Sequence, residues 1–365
     1  MALWIGSLVY CVLAMGAALH YLLTPAAARL SQYAPVTVLR PLAGAQDNTE
    51  ANLRSVFMQV YKDFEVLLAV HEESDPAATI ARRVMADFPK IPSRLIVSGV
   101  SPEPNAKVWS LRALLPHARH ENLLMTDSDI RLQPDCLETT MAELAKSALV
   151  TCPYRAVGGS RFWPRLEALG LNTDFLAGML TQRMLNGMDF AIGCTIATRQ
   201  AELAAIGGLE NLQRYLAEDF MMGNLMRRAG RVVVLSRSVI EHHIGNDRFV
   251  DNWKHRLRWA RSTRRSRPVG YIGEIFTKPF VLALLLTAAA PAFWPALIPT
   301  LFLRAGVAWF TAERILHDPG IRKRWWLLPV EDIASFIAWL FGFFGKRILW
   351  RGRWLVVARD GSFEV

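Results

Sequence analysis

"NLLMTDSDIR", residues 122–131, runs an apolar segment of strand length straight into two aspartates, Asp127 and Asp129. Open α/β sheets bind their ligands beyond the carboxyl ends of their strands. A strand that ends in acids therefore predicts both a layered α/β fold and the rim of a site. The flanking chain repeats the alternation: "VTVL" (36–39), "VLLAV" (66–70), "RLIV" (94–97), "LVTC" (149–152) and "RVVVL" (231–235) read as further strands. "EANLRSVFMQV", "AATIARRVMADF", "VWSLRALLPHA" and "AELAAIG" read as the helices between them.

Three acidic clusters follow such runs or lie close to them. In extended backbone, residues i and i+2 point the same way, so Asp127 and Asp129 can converge on one hard cation. Magnesium or manganese held by one or two carboxylates completes its shell with water and substrate phosphates. The chain has neither GxxxxGK[ST] nor GxGxxG, so a nucleoside diphosphate would be neutralised by metal and arginine instead. A plain turn is the other reading of the pair. In "HEESD" (71–75), Asp75 before Pro76 has the pattern of a helix N-cap. Glu72 stays open between a ribose or base contact and a solvated turn. "YLAEDF" (215–220) opens a helix, where the macrodipole favours carboxylates. Glu218 and Asp219 are therefore either structural, or one of them is a general base within reach of the proton it removes.

"HRLRWARSTRRSR" (255–267) sets Trp259 among six arginines, with Lys254 just before them. In a helix Lys254, Arg258, Arg261 and Arg265 share one face, and they cannot all reach one diphosphate. Arg258 is assigned to it, and Arg261, Arg264, Arg265 and Arg267 mostly to anionic lipid head groups. Trp259, an apolar body with one N–H, suits an acceptor at a membrane interface. A basic amphipathic anchor with no catalytic part is the alternative. "EHH" (241–243) reads as a loop near the acceptor side, and "GCTIATRQAEL" (193–203) as strand, turn and helix.

Composition points the same way. A net charge of +10 accompanies 52% hydrophobic residues and twelve tryptophans in 365 residues, which suits a membrane surface better than a nucleic acid, so no nucleic-acid partner is expected. Basic segments gain roughly 1 kcal/mol per charge near anionic lipid. Cys11, Cys136, Cys152 and Cys194 are far apart and form no ligand spacing, which fits a reducing compartment without structural zinc. Ala2–Leu23 carries no formal charge and is long enough to span a bilayer. Arg29 then places the following chain in the cytoplasm. The rival is a signal peptide cleaved near Ala26–Ala28, but a basic n-region is missing. Phe280–Leu303, broken by Pro291, Pro295 and Pro299, reads as one kinked span or half of a hairpin. Trp325–Gly345 carries Glu331 and Asp332 and reads as an interfacial or re-entrant helix or a crossing.

In this order, "HEESDPA", "PNAKVWSL", "TDSDIRL", "YLAEDFMMGNLM", "HRLRWARSTR" and "WRGRW" resemble the motifs of ceramide glucosyltransferase-type enzymes. These are membrane-bound inverting glycosyltransferases of GT-A fold, a group that includes hopanoid-associated bacterial glycosyltransferases. The likeness covers roughly residues 35–355. It implies an α/β, Rossmann-like GT-A domain over 35–265 that ends in a basic interfacial helix. A transmembrane helix over 1–24 precedes it, and membrane segments over 276–350 and a tail over 351–365 follow. By position, the resemblance puts Glu72 at the nucleotide, Lys107 near the diphosphate, Asp129 at the metal with Asp127 beside it, and Asp219 as the catalytic base. His255, Arg258 and Trp259 fall on the family's (Q/R)xxRW element at the diphosphate and the acceptor, with His255 where the family has Gln or Arg. Glu72 stands where an aspartate is commoner.

The expectation is a multi-pass protein of bacterial inner-membrane type with a cytoplasmic catalytic domain. It would use manganese or magnesium to move one sugar, glucose, from a UDP-sugar to the hydroxyl of a ceramide-like lipid. N-acetylglucosamine transfer to a hopanoid polyol, a polysaccharide synthase and a non-enzymatic basic membrane adaptor are the alternatives.

Overall fold

Along the chain of the computed structural model run β1 (Val36–Pro41), β2 (Phe64–Val70), β3 (Ser93–Val97), β4 (Asn122–Thr126), β5 (Ile130–Arg131), β6 (Leu149–Thr151), β7 (Tyr154–Gly158), β8 (Thr195–Arg199), β9 (Val233–Leu235) and β10 (Ile240–Ile244). The structure describes residues 1–245, 247–345, 347–350, 353–358 and 360–363. They group into two compact units, 26–154 with 188–243, and 1–25 with 155–187 and 244–365.

The first unit is built on a seven-stranded sheet of order β3-β2-β1-β4-β8-β6-β9. β1 pairs in parallel with β2 and β4, β2 with β3, and β6 with β9, while β8 runs antiparallel to β4 and β6. Every residue of β2 is buried, as are the first five of β1, because helices cover both faces of a parallel sheet. That explains why these strands are rich in apolar residues, with Thr37, Arg40 and Glu65 buried among them. The connections leave β1 in one direction toward β2 and β3 and then return to β4 on its other side. The carboxyl ends of β1 and β4 thus form the topological switch point where such sheets take ligands.

Local signals hold where backbone chemistry decides. Asp75 caps the helix Pro76–Asp87, its side chain accepting from Ala77 N at 2.8 Å. The helix Glu218–Arg228 contains Gly223, whose added Cβ would fall 2.3 Å from Ala191 N and from Phe190 C. That glycine lets the helix lie flush on the 190–191 backbone.

The second unit is helical. Two of its helices, Ala2–Leu23 and Pro291–Ile315, are long and apolar enough to cross a membrane, and Pro268–Thr277 with Pro279–Ala289 forms a pair bent by 66°. The apolar stretch from Phe280 breaks at Ala290, which is extended, so it is two packed segments and not one kinked helix. Leu328–Gly342 continues directly from the 3-10 turn Trp325–Leu327 and is not among the helices long and apolar enough to cross a membrane, by length and composition. Its acids are paired: Arg256 donates to both oxygens of Glu331 at 2.8 and 2.9 Å, and Arg304 Nε donates to Asp332 Oδ1 at 3.0 Å. Arg304, 2% exposed, also pairs with Asp174, which Lys278 contacts at 2.8 Å.

Arg261 and Arg264 have partners inside the helical unit. Arg261 donates to the carbonyls of Phe344 and Arg347, and Arg264 to those of Phe343 and Gly345. They satisfy carbonyls at and beyond the C-terminal end of the Leu328–Gly342 helix, so part of their donor capacity serves as internal caps. Within "WRGRW", Arg351 and Gly352 lie outside the described residues.

Candidate active site

β4 ends at Thr126 and the chain turns sharply, Ile130 N donating to Asp127 O at 3.2 Å. Asp127 and Asp129 therefore sit in a turn and not in extended backbone, and their carboxylates take different partners. Lys107 Nζ lies 2.8 Å from Asp127 Oδ1. His242 Nε2 donates to Asp129 Oδ2 at 3.2 Å. Asp129 Oδ1 is buried with no hydrogen-bond partner among the described residues. The turn is fixed from β1, whose fully buried Arg40 donates to the carbonyls of Ser128 at 3.0 Å and Ile130 at 2.8 Å.

The histidine pair corrects an expectation. "EHH" lies on strand β10, which pairs antiparallel with β5 in the register Glu241↔Arg131 and His242↔Ile130. Its neighbours diverge as extended backbone requires. His242 reaches Asp129, while His243 Nε2 meets Glu241 at 3.0 Å and His243 N donates to Asp129 O at 2.9 Å. His242 thus orients the carboxylate assigned to the metal, the part that outer partners play for metal ligands.

Asp219 opens its helix beside Glu218. A Cβ on Gly193 would lie 2.7 Å from Asp219 Oδ2, so a larger residue there would push the carboxylate from this position. Lys107 Nζ donates to the Gly193 carbonyl at 2.9 Å and pairs with Glu218 Oε1 at 3.1 Å. Burial pushes Asp219 up to about 6, with Glu218 adding to the rise and Lys107 opposing it. Asp127 is likewise pushed up to about 6, by burial first and by Asp129, against Lys107. Burial also raises Asp129, but His242 outweighs it and leaves that carboxylate below its ordinary value. Lys107, which burial alone would neutralise, is held well above the ordinary lysine value by Asp127 and Glu218.

Four carboxylates, Asp127, Asp129, Glu218 and Asp219, thus converge near Lys107 at the switch point. Among the described residues no group of three or more His, Cys, Asp or Glu side chains is placed to hold a metal ion. Asp129 with Asp127 beside it fits an octahedral cation held by one or two carboxylates that takes the rest of its shell from water and phosphate. The unpartnered Asp129 Oδ1 is the atom that such an ion would satisfy.

Of the remaining sequence-predicted residues, Glu72 is exposed on the turn after β2 in the same unit. His255, Arg258 and Trp259 lie on the helix Phe249–Ser266 of the helical unit. There His255 Nδ1 meets Glu167 Oε1 at 2.7 Å, and the rings of Phe175 and His255 lie 6.1 and 5.7 Å from that of Trp259. His255 helps hold Glu167 below its usual range despite burial. Arg40 and Asn105 were not singled out in the sequence. Arg40 ends a strand in which it reads as an edge charge, and Asn105 carries only a cap signal, as the residue before a helix.

A family model described as glycosyl transferase family 21 matches residues 2–363. Ceramide glucosyltransferase 1 of Caenorhabditis elegans is 29% identical over 205 residues, 55% of this chain and 44% of that protein. Ceramide glucosyltransferase of Komagataella phaffii is 28% identical over 116 residues, 31% of this chain and 23% of that protein. The matched parts span less than half of these relatives. Among solved structures, a mannosyltransferase from Pyrobaculum calidifontis in complex with GDP-Man and Mn2+ superposes with a TM-score of 0.52 at 17% identity, covering 94% of this chain and 99% of that one. The fold is that of GT-A nucleotide-sugar transferases.

Proposed function

The chain belongs to glycosyl transferase family 21, and from that premise we propose that it transfers one sugar, glucose, from a UDP-sugar to the hydroxyl of a ceramide-like membrane lipid with inversion at the anomeric carbon. The observation that carries the reading is the carboxylate cluster at the β1/β4 switch point, with Asp129 Oδ1 unpartnered among the described residues and Asp219 raised to about 6. The names of the relatives supply the sugar and the lipid.

Asp129, oriented by His242, would hold manganese or magnesium, with Asp127 beside it. Such an ion, when bound, neutralises the diphosphate. Asp219 accepts the proton of the acceptor hydroxyl as its oxygen attacks the anomeric carbon on the face opposite the diphosphate. The bond to UDP breaks, and its electron pair leaves with the diphosphate. A base near 6 is ionised at neutral pH yet stronger than an ordinary aspartate, which suits this step. Arg258 is assigned to the charge that develops on the leaving group, Trp259 to the lipid, and Glu72 to the nucleotide. The two long apolar helices support a multi-pass membrane protein, and Arg29 favours a cytoplasmic sheet unit.

The test is a membrane assay of UDP-glucose and UDP-N-acetylglucosamine against ceramide and a hopanoid polyol, with products identified by mass. Glucosylceramide as the main product is expected. Product only from the hopanoid and N-acetylglucosamine would move the assignment to that pair, and no product in any cell would remove it.

A further inference from the structure

We propose that Glu218 and Asn105 are positioning residues for transfer, which with Lys107 form a buried clamp that fixes the Asp219 carboxylate and surrounds it with a balanced pair of charges. The inference rests on the reading of Asp219 as the base and extends it to groups that touch no substrate.

An ammonium has three protons to donate, and Lys107 has three partners: Asp127 Oδ1 at 2.8 Å, Gly193 O at 2.9 Å and Glu218 Oε1 at 3.1 Å. No proton is left for a diphosphate oxygen. Lys107 is therefore an internal counter-ion joining the turn after β4 to the base helix, and not a ligand of the nucleotide.

Glu218 precedes Asp219 in the chain but faces inward, only 8% exposed. Its Oε2 accepts from Asn105 Nδ2 at 3.0 Å. Asn105 is fully buried, and its side chain makes three bonds at once. Oδ1 accepts from Val108 N at 3.2 Å as the N-cap of the helix Ala106–Leu114, and Nδ2 also donates to Tyr215 O at 2.9 Å. Donors and an acceptor on so short a stem are what an amide supplies and what an aspartate or a serine lacks. The same residue therefore starts the helix that carries Lys107 and grips the start of the helix that carries Asp219.

The charged groups facing Asp219 are Glu218 from its own helix and Lys107 from the helix Ala106–Leu114. Gly193 contributes backbone, and burial keeps the neighbouring Cys194 thiol far above its ordinary value, so it is neutral. With Glu218 ionised, its charge offsets Lys107 and Asp219 stays basic. Glu218→Gln keeps an acceptor for Asn105 but removes the charge, leaving Lys107 less compensated, and both changes make Asp219 a weaker base.

The experiment is the pH dependence of kcat, at saturating donor and acceptor in detergent micelles, for wild type, Glu218→Gln, Asn105→Asp and Asp219→Asn. In Glu218→Gln the acid limb should move down by about half a pH unit or more, with kcat at pH 7.5 reduced roughly tenfold and the donor KM within about twofold. In Asn105→Asp, which keeps the cap acceptor but adds an acid and removes the donors, the limb should move up and kcat should fall, again with little change in donor KM. Acid limbs that coincide with wild type in both variants overturn the proposal. So does a loss that appears mainly in donor KM, which would place Glu218 and Lys107 at the nucleotide. Asp219→Asn separates this from the reading beneath it. If Asp219→Asn transfers normally, the base assignment fails. If it is inactive while the other two behave as wild type, only the clamp fails.

Discussion

In the sheet unit, Asp127, Asp129, Glu218 and Asp219 gather around Lys107 with Arg40 and His242 at the edge, whereas in the helical unit Arg304 and Lys278 face Asp174 and Asp332, and Arg256 faces Glu331. The helical cluster is largely buried and the sheet cluster half-buried, and their charge balances differ. The helical cluster matches cation to anion, the condition under which charges survive in an apolar setting. The sheet cluster is rich in anions. Four carboxylates there face one ammonium, Lys107, with the Arg40 guanidinium turned to the carbonyls of Ser128 and Ile130 and His242 on Asp129. A balanced cluster fastens helices, while an unbalanced one is costly until a cation or a proton arrives, which is the property a site needs.

The largest effect should come from unbalancing the helical cluster. Arg304→Met leaves Asp174 and Asp332 with Lys278 as their remaining cation and should destabilise the protein by about 3–5 kcal/mol. Adding Asp332→Leu should restore part of that loss. Thermal unfolding in detergent reads both, and a single variant that melts like wild type would remove the fastening role.

A smaller effect belongs to the seat of the base. Gly223→Ala forces a methyl to 2.3 Å from the 190–191 backbone, an overpacking that typically costs about 1–3 kcal/mol. Transfer should fall with stability, because the helix that moves carries Asp219. A variant with full activity would show that the close approach is incidental.

The smallest effect has the opposite sign. Since folding raises the Asp219 pKa to about 6 from its ordinary value near 4, the folded state holds the proton to higher pH than the unfolded state. Stability contributed by this group is present below the unfolded pKa and is lost as pH rises through about 6. Asp219→Asn should therefore melt a few degrees higher than wild type at pH 7.5, and the gain should vanish as pH falls toward 4. A variant that melts lower at pH 7.5 would contradict the unbalanced charge of the sheet cluster.

Much of the sheet was legible because strands buried on both faces are rich in apolar residues, and the Asp75 cap because its chemistry is local. The order of the acidic motifs was legible too. What stayed hidden depends on partners distant in sequence. His242 looked like a loop residue until β10 paired with β5 and brought it to Asp129, some 113 residues away. Arg40 is an ordinary strand-end charge until the turn at Ser128–Ile130 folds over it. Arg261 and Arg264 share composition with a lipid-binding face, but the carbonyls they serve lie about 80 residues on. Charge alone cannot tell a bilayer from a helix end. Ala290 gave no break signal by itself, although Pro291 beside it did.

The central claim is that the anion-rich cluster in the sheet unit holds a divalent cation and, through it, the nucleotide. UDP binding by calorimetry, with manganese and with EDTA, to wild type and Asp129→Ala in the same detergent tests this most directly. Wild type should bind UDP tightly only with manganese, and Asp129→Ala should lose that dependence while remaining folded. Equal UDP affinity in EDTA, or manganese-dependent binding unchanged in Asp129→Ala, would contradict it.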